Sequence, residues 1–134
     1  MKIDQTMLIQ EAQKAIKNAI APYSHFKVGV ALLAKSGKVY TGCNIETGSL
    51  SLGICAERVA LFKALSEGER TFSTIAITSS SSDYCPPCGA CRQVLLEFSP
   101  AIEIILINAQ GSIIKKHLSE LLPFPFARNN LKST

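Results

Sequence analysis

Leu8, Ala12, Ala15, Ile16, Ala19 and Ile20 recur at helical spacing with Gln, Glu and Lys between them, and Pro22 ends the run. This predicts an amphipathic first helix. After the turn Pro22-Tyr23-Ser24-His25 the period changes. Phe26 to Leu33 is a continuous apolar run, Ser36-Gly37 is a hairpin signal, and Lys38 to Cys43 reads as the returning strand. Asn44 to Gly53 is a loop rich in Gly, Ser and Thr. Ile54 to Leu65 is apolar nearly all round, which predicts a buried central helix stopped by Gly68. Phe72 to Thr78 reads as a buried strand, followed by the short Ser79-to-Ser82 loop. Pro86-Pro87 opens a helix running through Phe98, closed by Ser99-Pro100. Ile102 to Ile107 is a further strand, and Gln110-Gly111 turns it back into Ser112 to Lys116. Leu118 to Leu122 is a short last helix, and the polar tail from Ala127 onward is expected to fray.

Apolar strands with helices between them predict an α/β fold, three α-β-α layers around a mixed five-stranded sheet. A length of 134 residues fits one domain, residues 1–134, and 47% apolar with 18% charged residues is globular composition. No stretch approaches the roughly 18 apolar residues of a membrane span, so no membrane association is expected. Met1 to Gln13 has no secretory apolar core, which makes the expected location cytoplasmic. Fourteen Lys and Arg against ten Asp and Glu give a net charge of +4. Those cations are scattered along the chain, with only Lys115 and Lys116 adjacent and no aromatic ladder beside them. Nucleic-acid binding is therefore not expected.

Five cysteines, Cys43, Cys55, Cys85, Cys88 and Cys91, change the picture. An odd number in a chain without a secretion signal argues for metal binding or catalysis over a disulfide framework. Cys55-Ala56-Glu57-Arg58 and Pro87-Cys88-Gly89-Ala90-Cys91-Arg92 each place cysteine at a predicted helix N-terminus. There the helix dipole and free N–H groups favour a thiolate. Cys88 and Cys91 are one turn apart and face the same way. Two ligands from one helix and one from another would leave a fourth position open, as in catalytic zinc sites. A closed site that adds Cys85 has compatible spacing too, through Cys85-Pro86-Pro87-Cys88. Cys43 reads as a space-filling core cysteine. Glu57 lies in the first turn of a helix expected to be buried, where a carboxylate is costly unless it has a task. Beside an open zinc position it would handle protons. Three thiolates on Zn²⁺ sum to −1, and Arg58 would offset that excess.

Together these residues resemble the small, homotetrameric zinc-dependent cytidine deaminases of pyrimidine salvage. The likeness extends from Pro22-Tyr23-Ser24-His25-Phe26-Lys27-Val28-Gly29 to Leu121-Leu122-Pro123. It implies hydrolysis of cytidine and 2′-deoxycytidine to uridine and 2′-deoxyuridine plus ammonia, a zinc-bound hydroxide attacking C4. Cys55, Cys88 and Cys91 would ligate one Zn²⁺ per subunit, and Glu57 would shuttle the proton. Asn44 and Glu46 would bind the ribose hydroxyls, Phe26 would pack on the pyrimidine, and the Ala56 N–H would meet the base. Phe126 would reach a neighbouring subunit's site in a tetramer with shared active sites. One segment departs from the family, which reads Glu-Asn-Ala-x-Tyr where this chain has Glu46-Thr47-Gly48-Ser49-Leu50. Gly48 and Leu50 remove volume and a hydroxyl from a pocket rim, which predicts tolerance of modified cytidines.

Overall fold

The computed structural model describes residues 3–131. Its strands are β1 (Val28–Ala34), β2 (Val39–Cys43), β3 (Phe72–Ser79), β4 (Glu103–Ile107) and β5 (Ile113–His117), in one sheet ordered β2-β1-β3-β4-β5. Helices α1 (Gln5–Ala15), α2 (Ala56–Ser66), α3 (Gly89–Phe98) and α4 (Leu118–Leu121) flank it. β1 runs antiparallel to both β2 and β3, β3 pairs parallel with β4, and β4 pairs antiparallel with β5. The expected mixed, three-layer α/β architecture is what forms.

Alternation along the strands divides the core. Ala31, Ala76, Ile105 and Ile107 pack with Leu8 and Ala12 of α1 on one face. Val30, Leu32, Ile75, Ile77, Ile104 and Leu106 pack on the other with Ala56, Ala60, Leu61 and Ala64 of α2, Leu95 of α3 and Leu118. Two glycines let helices close on the sheet. A Cβ at Gly29 would lie 2.4 Å from the Ala12 carbonyl oxygen, and one at Gly42 only 2.3 Å from the Ala56 carbonyl oxygen.

This topology also sets where the site forms. β2 and β3 both oppose β1, so they point the same way, and α2 and α3 begin just beyond their carboxyl ends. Two helix N-termini therefore meet at one edge of the sheet, the usual place for ligands in such folds.

Element boundaries differ from expectation for identifiable reasons. The first helix, N-capped by Asp4, ends at Ala15 and tightens into a 3₁₀ turn over Ile16–Asn18. Ile20 leaves it because its backbone is recruited elsewhere: its N–H bonds the Asn44 carbonyl and its carbonyl accepts from Glu46 N–H. β1 starts at Val28, two residues after the apolar run opens at Phe26. The central helix is not buried all round. Ala56, Glu57, Ala60, Leu61 and Ala64 form its buried face, while Phe62 on the opposite side is 42% exposed. The sheet covers one face of α2, and apolar residues on the other remain uncovered in a single chain. The two prolines stand before α3, whose N-cap is Cys88. The tail holds a 3₁₀ turn at Arg128–Leu131, secured by an ion pair from Arg128 to Glu97 and by Asn130 Oδ1 accepting from Ala127 N–H at 2.7 Å. The rest of the expected fraying falls outside the described residues. Among the described residues, no helix is long and apolar enough to cross a membrane.

Candidate metal centre and substrate cavity

Cys55 is the N-cap of α2 and Cys88 the N-cap of α3, with Cys91 one turn into α3. Their three Sγ atoms lie within 4.8 Å of one another. Cys55 Sγ and Cys88 Sγ are 3.9 Å apart, and Cys91 N–H donates to Cys88 Sγ at 3.4 Å. Two sulfurs bound tetrahedrally at ~2.3 Å from a single zinc would sit about 3.8 Å apart, which the Cys55–Cys88 pair matches at 3.9 Å, and all three sulfurs are close enough to share one ion. Among the described residues it is the only group of three or more potential ligands this close together, and Cys85 lies outside it. The closed four-cysteine alternative therefore loses its fourth sulfur. Cys91 is buried, Cys55 partly so, and Cys88 exposed, so access is from the α3 side.

Charge in the cluster is organised around Arg58. Its Nη2 donates to Cys55 Sγ at 3.4 Å. The hydrogen bond from the Cys91 thiol, reinforced by Arg58, brings the Cys55 thiol down to about 5 against the opposing effect of burial. Its hydrogen bond to Cys55, and then burial, hold the Cys91 thiol up. Contacts with the Cys55 and Cys91 sulfurs in turn raise the affinity of Arg58 for its proton. Arg58 Nε is buried with no hydrogen-bond partner, and Arg58 makes no ion pair with Glu57 among the described residues. An orphaned buried donor costs free energy. Negative charge gathered on the sulfurs is the compensation at hand, and a bound dication would bring it by holding all three as thiolates.

Beside the trio is a cavity of about 380 Å³ lined by Phe26, Asn44, Glu46, Ala56, Glu57 and Cys85 among others. Every substrate-side residue expected from the sequence is here except Phe126. Glu57 is 5% exposed, and burial pushes its carboxyl up to about 7, the Cys55 charge adding to the effect. A carboxyl titrating near neutrality can both accept and donate a proton. Ala56 opens α2, so its N–H has no intrahelical acceptor.

Asn44 and Glu46 carry structural duties that spacing did not reveal. Asn44 Oδ1 accepts from Val28 N–H at 2.8 Å and its Nδ2 donates to the Phe26 carbonyl at 2.7 Å, fixing the start of β1. Glu46 Oε1 accepts from the N–H groups of Tyr23 (3.0 Å) and Ser24 (3.1 Å), and Oε2 takes the Ser24 hydroxyl. The Ser24 hydroxyl, then the backbone donors, pull the Glu46 carboxyl below its usual range and keep it ionised. Both groups retain spare capacity, since a carboxylate offers about four lone-pair sites and an amide two N–H donors.

A second cavity of about 350 Å³ adjoins the first across Asn44 and Glu46, lined by Tyr23, Thr47, Leu50, Ser51 and Arg58 among others. Leu50 is 79% exposed. A Cβ at Gly48 would come within 2.9 Å of the Tyr23 hydroxyl, the far end of an exposed side chain that can swing aside. Phe126 is 58% exposed and lines neither cavity of its own chain. Cys85 is half-buried in the cavity wall, and burial lifts its thiol to about 11. Ser24 and Cys85 were not anticipated as parts of this wall. Ser24 lies in the turn segment that carries the family likeness but has no role assigned by it, and Cys85 shares its two-residue spacing with the Cys88–Cys91 pair.

Known proteins are similar to this chain along nearly its whole length. The family profile of the cytidine and deoxycytidylate deaminase zinc-binding region matches residues 1–107. Cytidine deaminase of Halalkalibacterium halodurans is 49% identical over 130 residues, 96% of this chain and 98% of that protein. The Sporosarcina psychrophila cytidine deaminase is 44% identical over 130 residues, covering 96% of each. The crystal structure of cytidine deaminase from Burkholderia pseudomallei superposes with a TM-score of 0.88 at 45% identity, covering 92% of this chain and 100% of that one. With profile, sequence and fold in agreement, this chain belongs to the zinc-binding cytidine and deoxycytidylate deaminase family.

Proposed function

We propose that this protein deaminates free cytidine and 2′-deoxycytidine to uridine and 2′-deoxyuridine, releasing ammonia, with Cys55, Cys88 and Cys91 holding one zinc ion per chain. The observation that carries this reading is the trio of thiols opening onto a cavity that also contains the buried Glu57 carboxyl. Bound there, zinc supplies Lewis-acid activation of water at neutral pH. Glu57 moves the protons. Its carboxylate takes one from the attacking water and delivers it to pyrimidine N3 as the new C–O bond forms at C4. It then takes the proton of the new C4 hydroxyl and passes it to the exocyclic nitrogen, so that the C4–N bond breaks, the C4 carbonyl forms and ammonia leaves. The Ala56 N–H orients the base and Phe26 packs against its ring, keeping water from the rest of the cavity. Asn44 and Glu46 use their remaining acceptors and donors on the ribose hydroxyls. Arg58 balances the negative charge of the thiolates.

On this reading residues 1–134 form one catalytic domain acting in the cytoplasm, in pyrimidine salvage, on nucleosides rather than on nucleic acid. The working form is a homotetramer with shared sites. The exposed Phe126, which lines neither of the two cavities beside the cysteine trio in its own chain, would then reach a neighbour's site. Thr47 and Leu50 line a cavity next to the nucleoside site, which supports a rim tolerant of modified cytidines.

The test is loss of the cytidine near-ultraviolet band on mixing with the zinc-loaded protein. Glu57→Gln keeps the zinc and loses turnover by about 10²–10⁴-fold, the usual contribution of a positioned general acid–base. Full turnover by that variant, or none by the wild type on either nucleoside, ends the proposal.

A further inference from the structure

The segment leading into Cys88 is poorly equipped to hold itself. Pro86 and Pro87 have no N–H to donate, so the turn before the cysteine has few backbone bonds with which to fix its position. Its anchor comes from the following helix. Arg92, half-buried on α3, reaches back to donate from Nε to the carbonyl of buried Pro87 at 2.7 Å. From the same guanidinium, Nη1 donates to the Leu121 carbonyl, also at 2.7 Å. That second carbonyl closes the four-residue α4, where no further helical turn follows to supply a donor. The next residue, Gln93, donates from Nε2 to the Phe126 carbonyl at 2.7 Å.

We propose that Arg92 is a positioning residue for the metal centre. By spanning the Pro87 and Leu121 carbonyls it locks the turn that presents Cys88 and Cys91 to the carboxyl-terminal run. The inference rests on those cysteines holding zinc. Cys88 is the most exposed cysteine of the three and the one that two prolines precede, so it depends most on an outside brace. The planar fork holds the two carbonyls, in different elements, in one fixed geometry. A lysine ammonium has three donors but a shorter, flexible stem and no fixed fork, so it would not hold both carbonyls in the geometry the guanidinium imposes.

The readout is the rate at which zinc leaves the full-length protein into excess chromogenic chelator, at a temperature where circular dichroism shows each variant folded. Zinc per chain is measured first. Arg92→Ala and Arg92→Lys should both release zinc about tenfold faster, the lower end of what disturbing the supports of a metal ligand costs. Gln93→Ala, which leaves both bonds of Arg92 in place, should stay near the wild-type rate. Release at the wild-type rate from folded Arg92→Ala and Arg92→Lys overturns the proposal, even if both melt earlier, because that is what a merely structural role would produce. Equal acceleration by Gln93→Ala overturns the assignment to Arg92. If Arg92→Ala does not fold, Arg92→Lys decides alone. A wild-type protein that neither carries nor takes up zinc overturns the metal reading itself, and shows this before any variant is compared.

Discussion

α2 and α3 begin alike and are used differently. Each is N-capped by a cysteine and carries an arginine about one turn later that folds back over the helix start. At α2 the start is closed. Ala56 and Glu57 are buried, the helix rests on Gly42, and Arg58 turns to sulfur with its Nε left unpartnered. At α3 the start is open: Cys88, Gly89 and Ala90 are exposed, and Arg92 turns to backbone carbonyls instead. The difference separates two tasks. Shifting a carboxyl toward neutrality needs desolvation, so Glu57, the group we propose handles protons, sits at the buried start. Letting metal and substrate in needs an approach, so the open start is held by bracing the chain rather than by burying it.

The largest expected effect tests whether both starts are needed. Cys55→Ala removes a sulfur from the closed start and Cys91→Ala one from the open start. Either should lower the zinc that survives gel filtration to roughly a tenth of the wild-type content or less, since little of a three-ligand site's affinity outlasts the loss of one thiolate. Cys85→Ser, only three residues before Cys88, should leave the zinc content unchanged because Cys85 lies outside the trio. Metal analysis showing the reverse, with zinc lost from Cys85→Ser and kept by Cys91→Ala, would dissolve the comparison.

Much of this contrast was legible in the residues, and the reasons are specific. Cysteine spacing within one helical turn is local, so Cys88 and Cys91 were readable as a pair. Glu57 was readable because its neighbours Ala56, Ala60 and Leu61 are apolar, making a carboxylate there anomalous. The partnership of Cys55 with them was readable from its place at a second predicted helix start and from the two-plus-one ligand pattern of open zinc sites. Its physical cause, the shared direction of β2 and β3 on either side of β1, belongs to topology. Roles that depend on where a long side chain reaches were not readable. Arg92 looks like any helix cation until its two carbonyls are located, and Ser24 looks like any turn serine until Glu46 is found 22 positions away. The helix predicted through Ile20 failed for a related reason. Its periodicity continues, but pairing with Asn44 and Glu46 takes the backbone first.

A smaller effect sharpens the closed side. At Gly42 a methyl would meet the Ala56 carbonyl oxygen at 2.3 Å and the Ala60 nitrogen at 2.7 Å, both backbone atoms that cannot swing away. Gly42→Ala must therefore push α2 off the sheet, at a cost of about 1–3 kcal/mol typical of overpacking. Because Cys55 and Glu57 ride on the first turn of that helix, turnover should fall with the urea midpoint. A variant as stable and as active as the wild type would mean that α2 is seated by other contacts.

The smallest effect probes the open side. A methyl at Gly89 would meet nothing within 4 Å, and the residue does not need the left-handed backbone conformation that glycine tolerates. As the first residue of α3 it gives up chain entropy on folding that alanine would not, so Gly89→Ala should be neutral or stabilising by up to about 1 kcal/mol. The urea midpoint should hold or rise and zinc content should not change. Turnover is then the informative quantity. If it also holds, the mouth beside α3 stays clear in the working protein. If it falls while stability and zinc are kept, something occupies the space next to Gly89 during catalysis. Saturating cytidine separates the occupants: recovery there marks a substrate that the methyl crowds, whereas a deficit that persists at every concentration points to a neighbouring copy of the chain packed over the entrance.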